Sequence, residues 1–517
     1  MPSSSTSSTV AHVLKNVFLI LFSAFFTPLC TWIAFLSSIV SPFTKASEHI
    51  KLHRQWRQKS SSTFRPRTVL VTGVGTAKGL ALARAFYRAG HRVIGADFEP
   101  YLIPVPGHFS TSIEIFYRLS KPDKETGTAK YIQDILSLIL KEKAELWISC
   151  SDVIAADDAE AAEVVGRRTK CKSIQLSHSC TGTLTQAPSF TSKARTLGLH
   201  VPESHIVTSE TEALSAMYPT STRFQSSKNF LITSLRSNAA PKVLSQFPNP
   251  QETKAEIRTL NPTPFNPFFV QEQVTGIEYS THTLILKGKI TAFVACPSTP
   301  NAYTALPYSS ALSQAMLLYT KAFISSSEPM TAHLSLTFRV PESASLMGEN
   351  TFGASDSQVK ELMGKIYAIS ANPGVSPAIV LFADESEDLA EMYLSVLPSH
   401  EPLGIANGHR DSNHIIVPKP TVPTYYWVGQ DIVAGIFLSL FAFLRGDIGL
   451  KGLRQSWTGT LGNLLGCRDA TWELWDPWPF WWMYVGYWPA VFLSCLWEGR
   501  RWRECDVSEG RLIEDEG

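Results

Sequence analysis

The chain has 517 residues, with 46 Lys+Arg set against 45 Asp+Glu. That length predicts two or three domains, and a net charge of +1 argues against a nucleic-acid binder, which would carry a basic excess. The cysteines (30, 150, 171, 180, 296, 467, 495 and 505) form no CxxC pair, so neither a zinc site nor a disulfide framework is suggested and a reducing compartment fits.

Residues 17–40, VFLILFSAFFTPLCTWIAFLSSIV, carry no charge. About 20 apolar residues span a bilayer, whereas the apolar core of a secretory signal is about 7–15. Pro28 falls mid-run, where it would kink a single span or turn a re-entrant hairpin. Lys45, Lys51, Arg54, Arg57 and Lys59 follow the run, and only Lys15 precedes it. The positive-inside rule then makes residues 1–60 a membrane anchor and linker, with the bulk of the chain cytosolic.

Residues 61–179 read as a Rossmann-like α/β domain. TVLVT (68–72) is a buried-type strand, and Gly73-Val-Gly75-Thr-Ala-Lys-Gly79 turns into a helix over 80–89. A second strand, 92–96, closes on Asp97, near the place of a ribose-binding acid. The GxGxxxG spacing is one residue longer than the dinucleotide fingerprint. The three glycines therefore read as turn and packing residues first, and as phosphate or substrate contacts second. Tyr117 and Lys121 make a YxxxK pair, yet they stand too soon after the glycines for a short-chain dehydrogenase. An NAD(P) oxidoreductase is accordingly the lowest-ranked reading. A helix is predicted over 131–142 and a strand over 146–150. Asp152 then sits at the C-terminal sheet edge, as a substrate contact or as the N-cap of a helix over 153–165.

The run FFVQEQVTGIEYSTHTLILKGKITAFVAC (268–296) predicts strands over 268–274, 278–286 and 290–296, broken at Thr275-Gly276 and turned at Lys287-Gly288-Lys289. From pattern alone this is a β-meander. Gln271, Glu272 and Glu278 flank the break, where carboxylates beside free backbone groups suit an adenine amino group and a ribose hydroxyl.

QExxxGxEySthtlilkGk resembles the central sheet of the ATP-grasp ligases, above all the membrane-associated fungal and cyanobacterial proteins of the mycosporine-glycine-forming type. AKGLALARAFYRAGH (77–91) and SKARTLGLHVPES (192–204) extend the resemblance, which runs from about residue 17 to the C-terminus. It implies a Rossmann-like pre-ATP-grasp domain followed by a split α+β ATP-grasp domain (180–420), with apolar N- and C-terminal segments. It also implies ATP as cofactor, with Gln271, Glu272 and Glu278 as its contacts. The implied activity is carboxylate or enol–amine ligation, joining an amino acid to a small metabolite in secondary metabolism.

The charged set of that family is replaced in this chain. Gln186-Ala187 stands where the family has Asp-Lys, and Thr233 takes the place of a second phosphate lysine. Thr337 and Ser370 replace the acids that would hold Mg²⁺, and Gly374 replaces an arginine. Asn372 remains as a metal or catalytic candidate, and Arg236 and Lys242 are nearby cations. The alternative is thus a non-catalytic nucleotide- or metabolite-binding membrane protein, because phosphoryl transfer needs cations on the developing charge.

Residues 421–517 contain ten of the 13 tryptophans, densest in WELWDPWPFWW (472–482). The uncharged stretch 480–497 is followed by Arg500, Arg501 and Arg503. Such a tail suits either a membrane interface or a packing segment on the main body.

Overall fold

The computed structural model describes residues 9–44, 64–99, 102–122, 127–151, 153, 155–218, 228–236, 242–245, 250–299, 302–325, 329–398, 415–508 and 510–514. Early in the chain, short buried strands alternate with helices, and they assemble into one parallel sheet. Its strands are β1 (Thr68–Thr72), β2 (Arg92–Asp97), β3 (Ile115–Arg118), β4 (Leu146–Ser149) and β5 (Lys172–Ser173), in the order β3-β2-β1-β4-β5. This is the order of a doubly wound half, with its switch point between β1 and β4.

Helix Ala77–Arg88 starts three residues before the sequence suggests, because Thr76 caps it by accepting the Gly79 N–H at 3.3 Å. Gly79 therefore lies inside the helix. A Cβ there would stand 2.2 Å from the Gly73 carbonyl oxygen, so the residue allows the helix to sit on the loop. The remaining helices of this part are Ala129–Glu142 and Ala155–Arg168.

A small antiparallel sheet follows: β6 (Ser204–Val207), β7 (Asn229–Ser234), β8 (Lys242–Ser245) and β9 (Phe268–Glu272), in the order β6-β9-β7-β8. Phe230, Ile232, Val270 and Met217 make its own core. The larger antiparallel sheet contains β10 (Ile277–Leu286) and β11 (Lys289–Pro297). After β12 (Ala302–Tyr303), which lies outside it, the chain returns as β13 (Ala332–Val340) and β14 (Tyr367–Asn372), giving the order β11-β10-β13-β14. Lys287 and Gly288, at φ 51° and 78°, turn β10 into β11, as a two-residue hairpin requires.

The meander suggested by residues 268–296 is corrected here, since β9 belongs to one sheet and β10 and β11 to another. The Thr275-Gly276 break is the passage between the two sheets. Gly276 has φ 144°, and a Cβ on it would lie 2.1 Å from the Val340 carbonyl oxygen, so this crossing tolerates no side chain.

One face of the larger sheet packs on helix Ala311–Ser325 through Leu334, Leu336, Phe338 and Phe323. The opposite face joins the parallel sheet and the tail in a single core that includes Val71, Phe86, Leu284, Val294, Tyr393 and Trp427. Short strand β15 (Tyr425–Tyr426) pairs with β12 on one side and β16 (Arg468–Asp469) on the other, and β17 (Trp502–Asp506) pairs with β18 (Arg511–Glu514).

A buried ion pair fixes the tail to the parallel sheet. Arg84 Nε meets Asp476 Oδ2 at 2.9 Å with the two side chains 7% and 0% exposed. Asp476 also accepts from Ser110 Oγ, Thr111 N and Thr111 Oγ1, at 2.7, 2.8 and 3.0 Å. Packing thus describes Trp427, Trp488 and Trp502, which are buried, while Trp497 is 91% exposed.

Helix Thr9–Val40 runs straight through Pro28, which corrects the re-entrant alternative. His12–Phe43 reaches a mean hydropathy of 2.1 over an 18-residue window and is, among the described residues, the one helix long and apolar enough to cross a membrane. It lies along the C-terminal helices. Trp481 Nε1 donates to Thr31 Oγ1 at 2.9 Å, Trp502 Nε1 to Asn16 Oδ1 at 3.0 Å, and the Ser23 hydroxyl to the Tyr484 carbonyl. Leu21, Phe25 and Trp32 on the same helix are exposed.

Candidate functional site

The passage at Gly276 sets Gln271 and Glu272 at the end of the small sheet and Glu278 at the start of the larger one. Both carboxylates already have a cation. Lys228 Nζ lies 2.9 Å from Glu272 Oε1, and this bond raises the lysine pKa. Arg339 Nη2 donates to Glu278 Oε2 at 2.6 Å and Arg339 Nη1 to the Gly276 carbonyl at 3.2 Å. Glu278 and Arg339 are direct cross-strand partners on β10 and β13. Gln271 Nε2 is buried without a hydrogen-bond partner.

The residues that the resemblance would put at metal positions are brought together. Thr337 is opposite Ser370, and Ser335 is opposite Asn372, on the neighbouring strands β13 and β14. Leu336, Phe338 and Ala368 take the core side, which turns Thr337 and Ser370 to the other face. The donors gathered here are three hydroxyls and an amide. A hard divalent cation is held by carboxylate oxygens, and among the described residues no three His, Cys, Asp or Glu side chains converge as a metal site. This donor set does not fit Mg²⁺.

The phosphate candidates are dispersed. Thr233 lies on β7 opposite Phe269, and Lys242 on the edge strand β8 opposite Ile232. Arg236 donates from Nη1 to the Phe265 carbonyl at 2.7 Å. Ala187 opens helix Ala187–Thr196, and Gly374 lies just past the end of β14.

Deeper on the same face are two histidines that pattern reasoning missed. His282 and His333 stack with ring centroids 5.3 Å apart. Burial, and then the Lys78 charge, push His282 down to about 3; burial, and then His282, hold His333 well below its ordinary range. Both rings are neutral. The Ser376 N–H reaches His282 Nδ1 at 3.4 Å, and Tyr393 Oη is 3.3 Å from His333 Nε2.

A separate cavity of about 540 Å³ opens at the C-terminal edge of the parallel sheet, beside the glycine loop. Asp97 accepts there from the Gly75 N–H at 2.6 Å and the Phe98 N–H at 2.7 Å. Gly73, at φ 77°, has the end of β4 so close that a Cβ would be 2.3 Å from the Cys150 backbone. The packing role read for Gly73 and Gly79 is thus seen directly. Tyr117 donates to Glu142 Oε1 at 2.5 Å and lies outside the cavity lining, whereas Lys121 lines it. Asp152 lies outside the described residues.

No family model matches the chain, and no curated protein matches it. Solved structures do. The L-amino acid ligase from Bacillus licheniformis is 12% identical at TM-score 0.41, over 66% of this chain and 76% of that one. The N5-carboxyaminoimidazole synthetase from Staphylococcus aureus is 12% identical at TM-score 0.43, over 63% and 78%. The biotin carboxylase domain of the Hydrogenobacter thermophilus 2-oxoglutarate carboxylase is 12% identical at TM-score 0.42, over 60% and 64%. These are likenesses of chain trace at low scores.

Proposed function

We propose that this is an ATP-grasp-type protein anchored to a membrane by its first helix, and that it binds the adenosine end of a nucleotide between its two antiparallel sheets without activating the phosphates. The observation that carries this reading is the register of β13 and β14. It sets Thr337 beside Ser370, hydroxyls in the one place where the resemblance puts metal-holding carboxylates. Gln271, Glu272 and Glu278 remain available for adenine and ribose, provided that a ligand displaces Lys228 or Arg339. The bound partner is then a small nucleotide-like molecule.

The second reading is the ligase itself, which would join an amino acid to a small acid or enol at the expense of ATP. The passage between two sheets at Gly276, flanked by Glu272 and Glu278, favours it. In that case Arg236 and Asn372 would be the groups to carry phosphate and metal work. An NAD(P) oxidoreductase is disfavoured because Tyr117 is committed to Glu142.

The deciding experiment is nucleotide binding by the full chain in detergent, with and without Mg²⁺, beside ADP release with a panel of amino acids and candidate acids. Adenosine is expected to compete within about tenfold of ATP, a difference of about 1.4 kcal/mol. Mg²⁺ is expected to add little. Robust substrate-dependent ADP release would overturn the binding reading in favour of the ligase.

A further inference from the structure

We propose that the chain seats on a single leaflet of a bilayer through one continuous apolar face. Helix Thr9–Val40 lies in the membrane plane there, beside the helical hairpin 428–466, and neither crosses. This rests on the membrane reading given above and deepens it, since the first helix becomes a flat seat in place of a span.

Helix Thr9–Val40 is built inside out for a helix in water. Its buried stripe is His12, Asn16, Leu19, Ala34 and Ser37, mostly small or polar. Its exposed stripe is Leu14, Leu21, Phe25, Trp32, Phe35 and Ile39. Each stripe keeps the spacing of one helix face. Water drives large apolar side chains inward, and a hydrocarbon neighbour reverses that. The inward polar groups are satisfied by protein. His12 Nε2 pairs with the Arg500 carbonyl at 2.9 Å, and Asn16 Oδ1 accepts from Trp502 Nε1 at 3.0 Å. Lys15, the one Lys, Arg, Asp or Glu of the helix, holds its ammonium 3.4 Å from the centroid of the Trp502 ring.

The position of the body decides between lying flat and crossing. Tyr484 and Trp481 bond the helix at Ser23 and Thr31. Between them in the chain, Trp482 Nε1 donates to the Pro104 carbonyl at 2.6 Å, and Tyr487 lines the cavity beside the glycine loop. The parallel-sheet domain therefore lies alongside the helix, one helix layer away, and not beyond one of its ends. At 1.5 Å per residue, the contacts from His12 to Thr31 occupy about 28 Å of helix. Residues 32–43 reach only about 18 Å, short of a hydrocarbon core of about 30 Å. A crossing would draw the polar surface of the body into hydrocarbon.

The hairpin extends the face. Phe437 and Phe441 pack edge-on against Phe18 of the first helix, at 5.1 and 5.7 Å between ring centroids. Leu438 and Leu444 are exposed on the first arm, and Leu461 and Leu465 on the second, helix Leu450–Gly466. The first arm widens into a π-turn over Val433–Leu438, and the loosened carbonyls are taken up across the hairpin. Ser456 Oγ donates to the Gly435 carbonyl at 2.8 Å, and Trp457 Nε1 to the Ile436 carbonyl at 3.2 Å. In hydrocarbon a backbone carbonyl has no water to turn to, so a lipid-facing hairpin needs this pairing. Exposed Arg454 shares the face of Leu450 and Leu461, where its stem lies on apolar surface and its guanidinium reaches headgroup phosphate. An interface between copies keeps about a third of its area polar, whereas residues 16–43 carry no charge and reach a mean hydropathy of 2.1 over an 18-residue window. The occupant is hydrocarbon.

The test is cell-free synthesis of the full chain with sealed microsomes, one epitope tag joined to Met1 and another to Gly517. Flotation reads binding, and added protease reads topology. The chain is expected to float with both tags cleaved while a lumenal marker survives. Flotation with either tag protected leaves the membrane reading standing and overturns the flat seat. A chain that does not float removes both, and dimers of it in the absence of detergent would give the face to a second copy. Leu461→Glu with Leu465→Glu changes two exposed positions, so Tm should hold while partition into phosphatidylcholine vesicles falls at least about tenfold. Unchanged partition would overturn the hairpin's share in the face.

Discussion

At the passage by Gly276, each carboxylate is held by a side-chain cation, Glu272 by Lys228 and Glu278 by Arg339. At the edge of the parallel sheet, Asp97 is held by backbone N–H groups, and lysines stand on the opposite wall of an open cavity. The contrast shows how the same residue type prepares differently for a ligand. A side-chain cation competes with a ligand for the carboxylate, and a ligand must break that pair to bind. A backbone N–H orients the carboxylate through a fixed main-chain contact instead.

The two regions also differ in what supports them, and the largest expected effect tests this. Removing one partner of a buried ion pair costs about 3–5 kcal/mol. Arg84→Ala or Asp476→Ala should lower stability to chemical denaturation by that amount. An unchanged denaturation midpoint would mean that the pair does not hold the tail to the parallel sheet.

Acid should act on the opposite side of the comparison, through the larger antiparallel sheet. His282 and His333 have folded pKa values below the unfolded value of about 6.5, so the unfolded chain takes up protons first as pH falls. Their contribution is present above pH 6.5 and lost below it. The loss is about 2 kcal/mol per histidine on going to pH 5. Asp158 runs the other way: burial raises it to about 6, so its contribution is lost as pH rises through that value. Denaturation midpoints between pH 7 and 5 on an Asp158→Asn background should fall, and a flat profile would mean that the imidazoles are not buried as neutral rings.

A gain of function would sharpen the contrast at the passage between the two antiparallel sheets. Thr233→Lys, Thr337→Asp and Ser370→Glu together should raise Mg²⁺-dependent ATP affinity about tenfold, by supplying phosphate and metal with partners. Unchanged affinity would mean that these positions do not face the nucleotide. The smallest effect expected is from Arg339→Ala, which frees Glu278. Loss of this half-exposed pair should cost less than about 1 kcal/mol of stability, and calorimetry should show adenosine binding a few-fold tighter.

Much of the scaffold was legible from local rules. The runs TVLVT and RVIGAD, the glycine turn and the Lys287-Gly288 hairpin all lie where strand and turn chemistry put them. The break at Gly276 was legible as a break, although only strand pairing shows that it separates two sheets. Lys228 and Arg339 were missed because their partners are set by register and by chain outside the motif. The stacked histidines read as ordinary strand residues, since only burial makes them unusual. Of the cavity, only the glycine loop and Asp97 were legible as ligand contacts. Lys121, Lys130, Tyr487 and Gly510 join them through no local pattern, the last two from the tail.

Asp476 has one more consequence, for the order of events as the chain is made. Arg84 and its carboxylate partner are 392 residues apart in sequence. At about 5–20 residues per second, a ribosome takes roughly 20–80 s to cover that distance. For all of that time the guanidinium of Arg84 and the hydroxyls of Ser110 and Thr111 lack their acceptor, and the apolar faces that Trp427 and Trp488 later cover stay open. The parallel sheet, the first of the sheets to be synthesised, is thus among the last parts to be completed.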